Sequence, residues 1–481
     1  MGWMKKSTPE EHGVASQTVV NFLERMTKLD IRLNSFMLLR DNDIIAEGYW
    51  KPFDAEKQHR MYSISKSFTS CAIGILVDEG KLSLDDKVAD FFPDKCPKNL
   101  HPYTARATVR DLLRMASPHE ESTYKIYNGG NWVESFFHIK PSHPPGTVFC
   151  YDTSGTHVLG ALVERVSGLS LHAFMRDRVL DDIGFSKDAV WLPDPFGVPQ
   201  AGSGMYCTTR DLARFALLCQ HYGCFEDKRY ISEEYMKAAT TKQIENDVRG
   251  LLGSYTVGGW GYGYKFWCGI DDVFVCYGMC GQFAFISPGR RMIALTTADT
   301  QVDPGDESLI LNAIWEELFV PVNGDILPEN AAAHSKMRDQ LDNLTLLAAP
   351  GKAVSPIIPQ ITGKSYMLYE NPLGISGIKL DFCEDGGTFY YSKSTGCCRL
   401  DFGWNKHIRQ NMLDGGMDSV VSGGWIDDNT LELWLCVIDA TPAVVKILLH
   451  FKEREISVCM HKAVDDILLD YKGLAGGIMI D

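Results

Sequence analysis

The chain has 481 residues, 45% hydrophobic and 11% aromatic, a composition that supports real hydrophobic cores and two or three domains and excludes a disordered chain. A formal charge of −15 with no basic patch argues against nucleic acid as a partner and against an anionic membrane surface. The chain holds no run of 18 apolar residues, and its N-terminus is polar where a secretory signal would be apolar. The expectation is a cytoplasmic protein that does not engage a membrane.

In chain order, residues 33–50 read as a β-hairpin turning at Asp41-Asn42-Asp43. Ser63 opens a predicted buried helix with apolar positions at Phe68, Cys71, Ala72, Ile75 and Leu76, stopped at Glu79-Gly80. Three capping boxes, Ser83-x-x-Asp86, Thr108-x-x-Asp111 and Thr208-x-x-Asp211, predict further helix starts. A helix is expected over Thr156–Val166 with its stop at Gly168. Strands follow near Asp272–Tyr277, Gln282–Ser287 and Met292–Thr297, then a helix near Asp306–Leu318. Sheet segments thus flank a long, mostly helical insert.

Past residue 326 the pattern changes. A helix predicted over Ala331–Leu347 leads into a Pro-rich stretch, and from Ile361 onward hydrophobicity alternates, as in Leu431-Glu-Leu-Trp-Leu-Cys-Val437. Turn clusters fall at Glu384–Gly387, Asp414–Gly416 and Asp427–Asn429. The organisation expected is a first, mixed helix-and-sheet domain over 1–326, a helix and Pro-rich linker over 327–360, and an all-β domain over 361–481, a small barrel or curved sheet. The fourteen cysteines form no Cys-x-x-Cys pair, and neither Cys276/Cys280 nor Cys397-Cys398 has zinc-ligand spacing, so free thiols are expected.

Three segments carry candidate chemistry. Ser63 and Lys66 lie one helical turn apart on the same face. A serine needs a base within hydrogen-bond reach, and a lysine serves only where burial holds it neutral. Ser122/Lys125 and Ser376/Lys379 repeat the spacing, but the first lies in a polar loop and the second in a Gly-rich hairpin-like segment. The plain alternative for Ser63 is a helix cap beside a snorkelling lysine. Tyr151, in Pro144-Pro-Gly-Thr-Val-Phe-Cys-Tyr151-Asp-Thr153, stands before a helix where a phenol could relay a proton. A packed core tyrosine is its plain alternative. In Cys276-Tyr-Gly-Met-Cys-Gly-Gln282, glycines between two strands allow backbone N–H groups to approach a ligand, as an oxyanion hole requires, and an ordinary hairpin is the alternative.

In this order the three segments resemble the serine β-lactamase and penicillin-binding-protein superfamily, nearest its class C-like esterase and amidase branch. Ser63-Ile-Ser-Lys66 matches Ser-x-x-Lys, Tyr151-Asp-Thr153 stands for Tyr-x-Asn or Tyr-x-Ser, and Gly278-Met-Cys-Gly-Gln282 is similar to Gly-x-x-Gly-Gln. The likeness spans residues 8–322. It implies an α+β fold of the β-lactamase/transpeptidase type: an antiparallel sheet with helices and a mostly helical subdomain, followed here by the small all-β domain.

The resemblance further implies a serine hydrolase acting on a small-molecule ester or amide. Ser63 would be the nucleophile, with Lys66 and Tyr151 sharing the proton work. Ser63, Thr153, Gly278, Met279 and Cys280 would lie at the oxyanion and substrate, and no metal or cofactor is implied. Two departures stand out. Thr153 replaces the usual Asn, and Val275-Cys276-Tyr277 offers no Lys or His to hold a substrate carboxylate. Uncharged substrates are therefore expected, with Tyr62, Trp132, Trp260 and Tyr262 as candidate cleft aromatics. Acyl transfer to a small alcohol or amine, or an idle scaffold, are the alternatives.

Overall fold

The hairpin expected at 33–50 forms one edge of a seven-stranded sheet in the computed structural model. Residues 2–246, 254–301, 305–322, 324, 326–412, 416–439, 441, 443–462 and 471–480 are described. Between β1 (Leu33–Arg40) and β2 (Asp43–Tyr49), Asp41 and Asn42 both have positive φ, 51° and 72°. That is the conformation a tight two-residue hairpin turn demands. The sheet is completed by β3 (Val257–Tyr262), β4 (Trp267–Gly269), β5 (Phe274–Gly278), β6 (Gln282–Ser287) and β7 (Met292–Ala298). The order is β2-β1-β7-β6-β5-β4-β3, antiparallel throughout.

Every residue of β1 and β7 is buried, so these central strands are covered on both faces. The covering helices include α1 (Ser16–Lys28), α2 (Ser65–Asp78), α3 (Thr153–Ser167), α4 (Thr209–Gln220), α5 (Asp306–Ala313) and α6 (Ala331–Asp342). Phe36 of β1 stacks on Phe22 of α1 with ring centroids 4.8 Å apart. Its neighbours Met37 and Leu39 point the other way, into a core shared with α2, α3 and α4.

The two threonine boxes are complete. Thr108 caps a short helix, Val109–Leu113, and Thr208 caps α4, each exchanging bonds with an Asp three residues on. The Ser83 box starts no helix. Asp86 does accept from Ser83 N at 2.7 Å, but the chain then pairs with residues 107–109 (Val88 N to Ala107 O, Val109 N to Asp86 O), which takes the backbone groups a helix would use. A single 3₁₀ turn, Val88–Phe91, follows.

The chain divides into two compact units, one of Met1–Thr300 and Gly305–Leu344 and the other built on Thr345–Asp481. Helix α6, expected to run to Leu347 within the linker, ends at Asp342 and packs on α1, with Lys336 Nζ 2.8 Å from Glu24. The Pro-rich stretch is not free either. Lys352 exchanges both backbone hydrogen bonds with Trp425, each 2.9 Å, and Ala349 N donates to Ser422 Oγ.

The second unit holds β8 (Ser365–Leu368), β9 (Ile375–Cys383), β10 (Gly386–Lys393), β11 (Gly396–Trp404), β12 (Ile408–Asn411), β13 (Asp418–Trp425), β14 (Thr430–Val437), β15 (Ala443–Lys452), β16 (Glu455–Lys462) and β17 (Gly473–Met479). Among the described residues β11-β10-β9-β8-β17-β16-β15-β14-β13 form a ring closed by a short parallel pairing of β11 with β13, and β12 hangs on β13. A closed ring removes the sheet edges that would otherwise pair with another chain. The alternation read in β14 holds: Leu431, Leu433 and Leu435 face the barrel core. Of the expected turns, Asp414 and Gly415 lie outside the described residues. Among the described residues no single helix is long and apolar enough to cross a membrane.

Candidate active site

Ser63 sits in a 3₁₀ turn, Tyr62–Ile64, that feeds directly into α2. Tyr62 enters this turn at φ 45°, a left-handed conformation that costs a non-glycine residue about 1–3 kcal/mol and is held by its surroundings. Its ring is buried, and the Arg60 guanidinium lies 4.8 Å from its centroid.

Helix α2 is buried on all sides through its first turns, including its hydroxyls. Several of these hydroxyls tie segments distant in sequence to the helix. Ser65 Oγ accepts from Met205 N, Thr69 Oγ1 donates to Ala201 O, and Ser67 Oγ donates to Lys265 O. The run Ser65-Lys-Ser-Phe-Thr-Ser70 thus satisfies its own buried polar groups while it gathers the walls of the cleft.

Lys66 Nζ lies 2.8 Å from Ser63 Oγ and donates to the Gly202 carbonyl at 2.7 Å. A Cβ built on Gly202 would stand 2.4 Å from Thr153 Cγ2 and 3.4 Å from Lys66 Nζ, so this loop presses on both side chains. Burial pushes the Lys66 ammonium down to about 7, opposed by Asp152 and aided by Lys125. Its surroundings therefore favour the neutral amine by about 5 kcal/mol relative to water.

Tyr151 lies one residue before Asp152, whose carboxylate caps α3 by accepting from Ser154 N and Gly155 N. Ser117 Oγ also donates to Asp152, so the cap is braced from a second loop. The Tyr151 ring stacks on Trp267 at 5.5 Å, meets Tyr262 edge-on at 6.5 Å, and lies 5.0 Å from Lys66 Nζ. Burial pushes its phenol up, and the Ser63 hydroxyl, its hydrogen-bonding neighbour, partly opposes that rise. The group at neutral pH is a phenol, not a phenolate.

The third segment turns sharply after β5. Cys280 and Gly281 take φ 71° and 86°, and Gln282 staples the turn by donating to the Met279, Cys280 and Ala298 carbonyls. A Cβ on Gly278 would lie 2.3 Å from Met61 O, so only glycine lets β5 press against the Ser63 turn. Glu307 accepts hydrogen bonds from Cys280 N, Gly281 N and Tyr277 Oη. This corrects the expectation for Cys280: its N–H is taken by Glu307 and is not free for an oxyanion.

The structure brings Ser63, Lys66, Tyr151 and Thr153 together, with Gly278 against the nucleophile's turn. Of the expected aromatics, Tyr262 joins the Tyr151–Trp267 cluster and Tyr62 is buried beside Ser63. Trp132 stacks on Tyr124 at 4.1 Å, and Trp260, 44% exposed, donates to Tyr255 O. The other Ser-x-x-Lys pairs have structural duties. Ser122 Oγ accepts from Thr153 N at 3.0 Å, and Ser376 is exposed on β9.

Three neighbours escaped the sequence reading. Gly202 and Lys265 lie in loops far along the chain from α2, and Glu307 opens α5. The Gly202-Ser-Gly204 cluster signals a tight loop and nothing more. Lys265 is fully buried with Nζ 3.1 Å from Met115 Sδ, and burial, then Lys66, pushes its ammonium well down.

Comparison with known proteins places the chain in a family. The Beta-lactamase family model matches residues 21–317. The chain is 25% identical over 267 residues to 6-aminohexanoate-dimer hydrolase of Paenarthrobacter ureafaciens, covering 51% of this chain and 67% of that one. It is 24% identical over 313 residues to penicillin-binding protein 4 of Amycolatopsis lactamdurans, covering 57% and 80%. Among solved structures, EstCE1, a hydrolase with promiscuous acyltransferase activity, superposes with a TM-score of 0.51 at 18% identity, over 62% of this chain and 99% of that one. With Ser63 and Lys66 in contact inside the matched span, the chain belongs to the Beta-lactamase family and is a serine hydrolase.

Proposed function

We propose that the protein hydrolyses an ester or amide through an acyl-enzyme on Ser63. The observation that carries this reading is the buried Lys66 amine 2.8 Å from Ser63 Oγ, in surroundings that favour its neutral form. Neutral Lys66 takes the Ser63 proton as Oγ attacks the carbonyl carbon. Ser63 N–H and Met279 N–H hold the resulting oxyanion, and a donor of this kind is commonly worth about 2.7–4 kcal/mol. Tyr151, a phenol, gives its proton to the leaving alcohol or amine and regains one from the Lys66 ammonium. Water then repeats the sequence in reverse on the acyl-serine and releases the acid. Thr153 Cγ2 and Lys66 Nζ both lie against Gly202, which puts Thr153 in reach of a substrate at Ser63 in this reading.

The test is intact-mass labelling by a fluorophosphonate. Wild type gains one adduct, and Ser63→Ala gains none while keeping its cooperative unfolding, because only a hydroxyl is lost. Ser376→Ala, at an exposed site of the same spacing, labels like wild type. A persistent adduct on Ser63→Ala overturns the assignment.

A further inference from the structure

Glu307, the second residue of α5, takes no part in the steps above, yet its carboxylate is bonded to the turn that carries Met279. Its Oε1 accepts from Cys280 N and Gly281 N (the latter 3.1 Å), and its Oε2 from Tyr277 Oη. These donors bracket Met279, the second proposed oxyanion donor. Tyr277 lies 5.8 Å from Trp267, and Trp267 in turn stacks on Tyr151, so a continuous aromatic wall links Glu307 to the reacting groups. Its negative charge reaches the Tyr151 phenol and helps to raise it.

Backbone N–H groups can only donate, so Oε1 is fixed as an acceptor; burial pushes the Glu307 carboxyl up toward its neutral form, and the hydrogen bonds from Tyr277, Cys280 N and Gly281 N oppose that push in favour of the carboxylate. Among the described residues no lysine or arginine acts on Glu307. The nearest buried lysines, Lys66 and Lys265, are both pushed toward the neutral amine by burial. A carboxylate beside an oxyanion site without a cation of its own repels an anionic substrate and attracts one that brings the missing positive charge.

We infer that Glu307 is a specificity-determining residue of the cleft, selecting esters or amides that carry an ammonium group on the side facing the 277–281 turn and rejecting those that carry a carboxylate there. The inference rests on the Ser63 acyl-enzyme reading and adds the charge of the substrate to it.

The experiment compares kcat/KM of the full-length chain for three p-nitrophenyl esters of equal chain length, ending in trimethylammonium, methyl or carboxylate. Wild type is expected to prefer the ammonium over the carboxylate ester by about tenfold or more. Glu307→Gln keeps an acceptor for Cys280 N and Gly281 N but removes the charge, and is expected to bring that ratio to near unity. The ratio is the readout, so a loss of rate common to all three esters cancels. A ratio that survives Glu307→Gln unchanged makes Glu307 a brace of the turn and overturns the inference. A wild-type preference for the carboxylate overturns it without any variant. If no ester is hydrolysed and the neutral fluorophosphonate leaves Ser63 unlabelled, the acyl-enzyme reading fails and this inference fails with it. If labelling proceeds without charge selection, only this inference fails.

Discussion

At the level of single residues, burial acts in opposite directions on the two proton-handling groups. It pushes the Lys66 ammonium down to about 7 and the Tyr151 phenol up. A cation is disfavoured by leaving water, and so is a phenolate, which leaves a neutral base and a neutral acid beside one hydroxyl. The sign of the pH dependence follows. Below about 7 Lys66 carries a proton and cannot accept one from Ser63, so kcat/KM is expected to rise with pH through a midpoint near 7 and then level. The pH profile of Lys66→Ala should lose this limb, and a limb that remained would assign the titration elsewhere. Lys66→Ala and Tyr151→Phe should each lower kcat by about 10²–10⁴-fold. Because both serve the same proton transfers, the double variant should lose far less than the product of the two. Near-normal turnover by Tyr151→Phe would reduce the phenol to packing.

At the level of elements, the site is an assembly of one helix, one strand end and the loops that α2 hydroxyls hold. Gly278 is the sharpest constraint, because its neighbour Met61 O belongs to the backbone and cannot rotate away. Gly278→Ala is therefore expected to lift β5 from the Ser63 turn and to slow fluorophosphonate labelling at least tenfold. The strand's remaining side chains, Phe274, Val275 and Cys276, stay buried and keep the unfolding transition cooperative. Labelling at the wild-type rate would show that the turn tolerates the added methyl. Elements specified by local signals were legible in sequence: the 33–50 hairpin, α2 with its glycine stop, and both threonine caps. The Ser83 box misled because a local capping signal lost to pairing with residues 107–109, which no local pattern records. Local spacing marks Ser63, Lys66 and Tyr151 only as candidates, and the order of the three segments along the chain is what singles them out. Their supports could not be named. Gly202 meets Lys66 across 136 residues and Glu307 meets Cys280 across 27, so only the tertiary fold defines those contacts.

At the level of the whole molecule, each unit carries its own core. One is gathered around α2, α3 and α4 and the other fills the barrel with residues such as Leu433, Trp425 and Phe451. The composition change near residue 326 suggested a boundary there, but the backbone places the junction later. Lys51 N donates to Leu344 O within the first unit, whereas Ala349 and Lys352 are bonded to β13 of the barrel. A cut at Gly351 would sever the barrel's own backbone pairing: a Cβ there would meet Trp425 O at 2.5 Å, which shows how closely that segment is seated. A cut between Leu344 and Thr345 leaves both sets of bonds whole. The fragments 1–344 and 345–481 are therefore expected each to unfold cooperatively when expressed alone, as separate cores allow. The first should still label at Ser63, since every group in the proposed mechanism lies within it. If 1–344 folds but does not label, the second unit completes the active site. If it fails to fold while the full chain does, the two cores are not independent. Cutting instead at Gly351 should destabilise the barrel fragment relative to 345–481, and denaturant melts of the two fragments would read that difference directly.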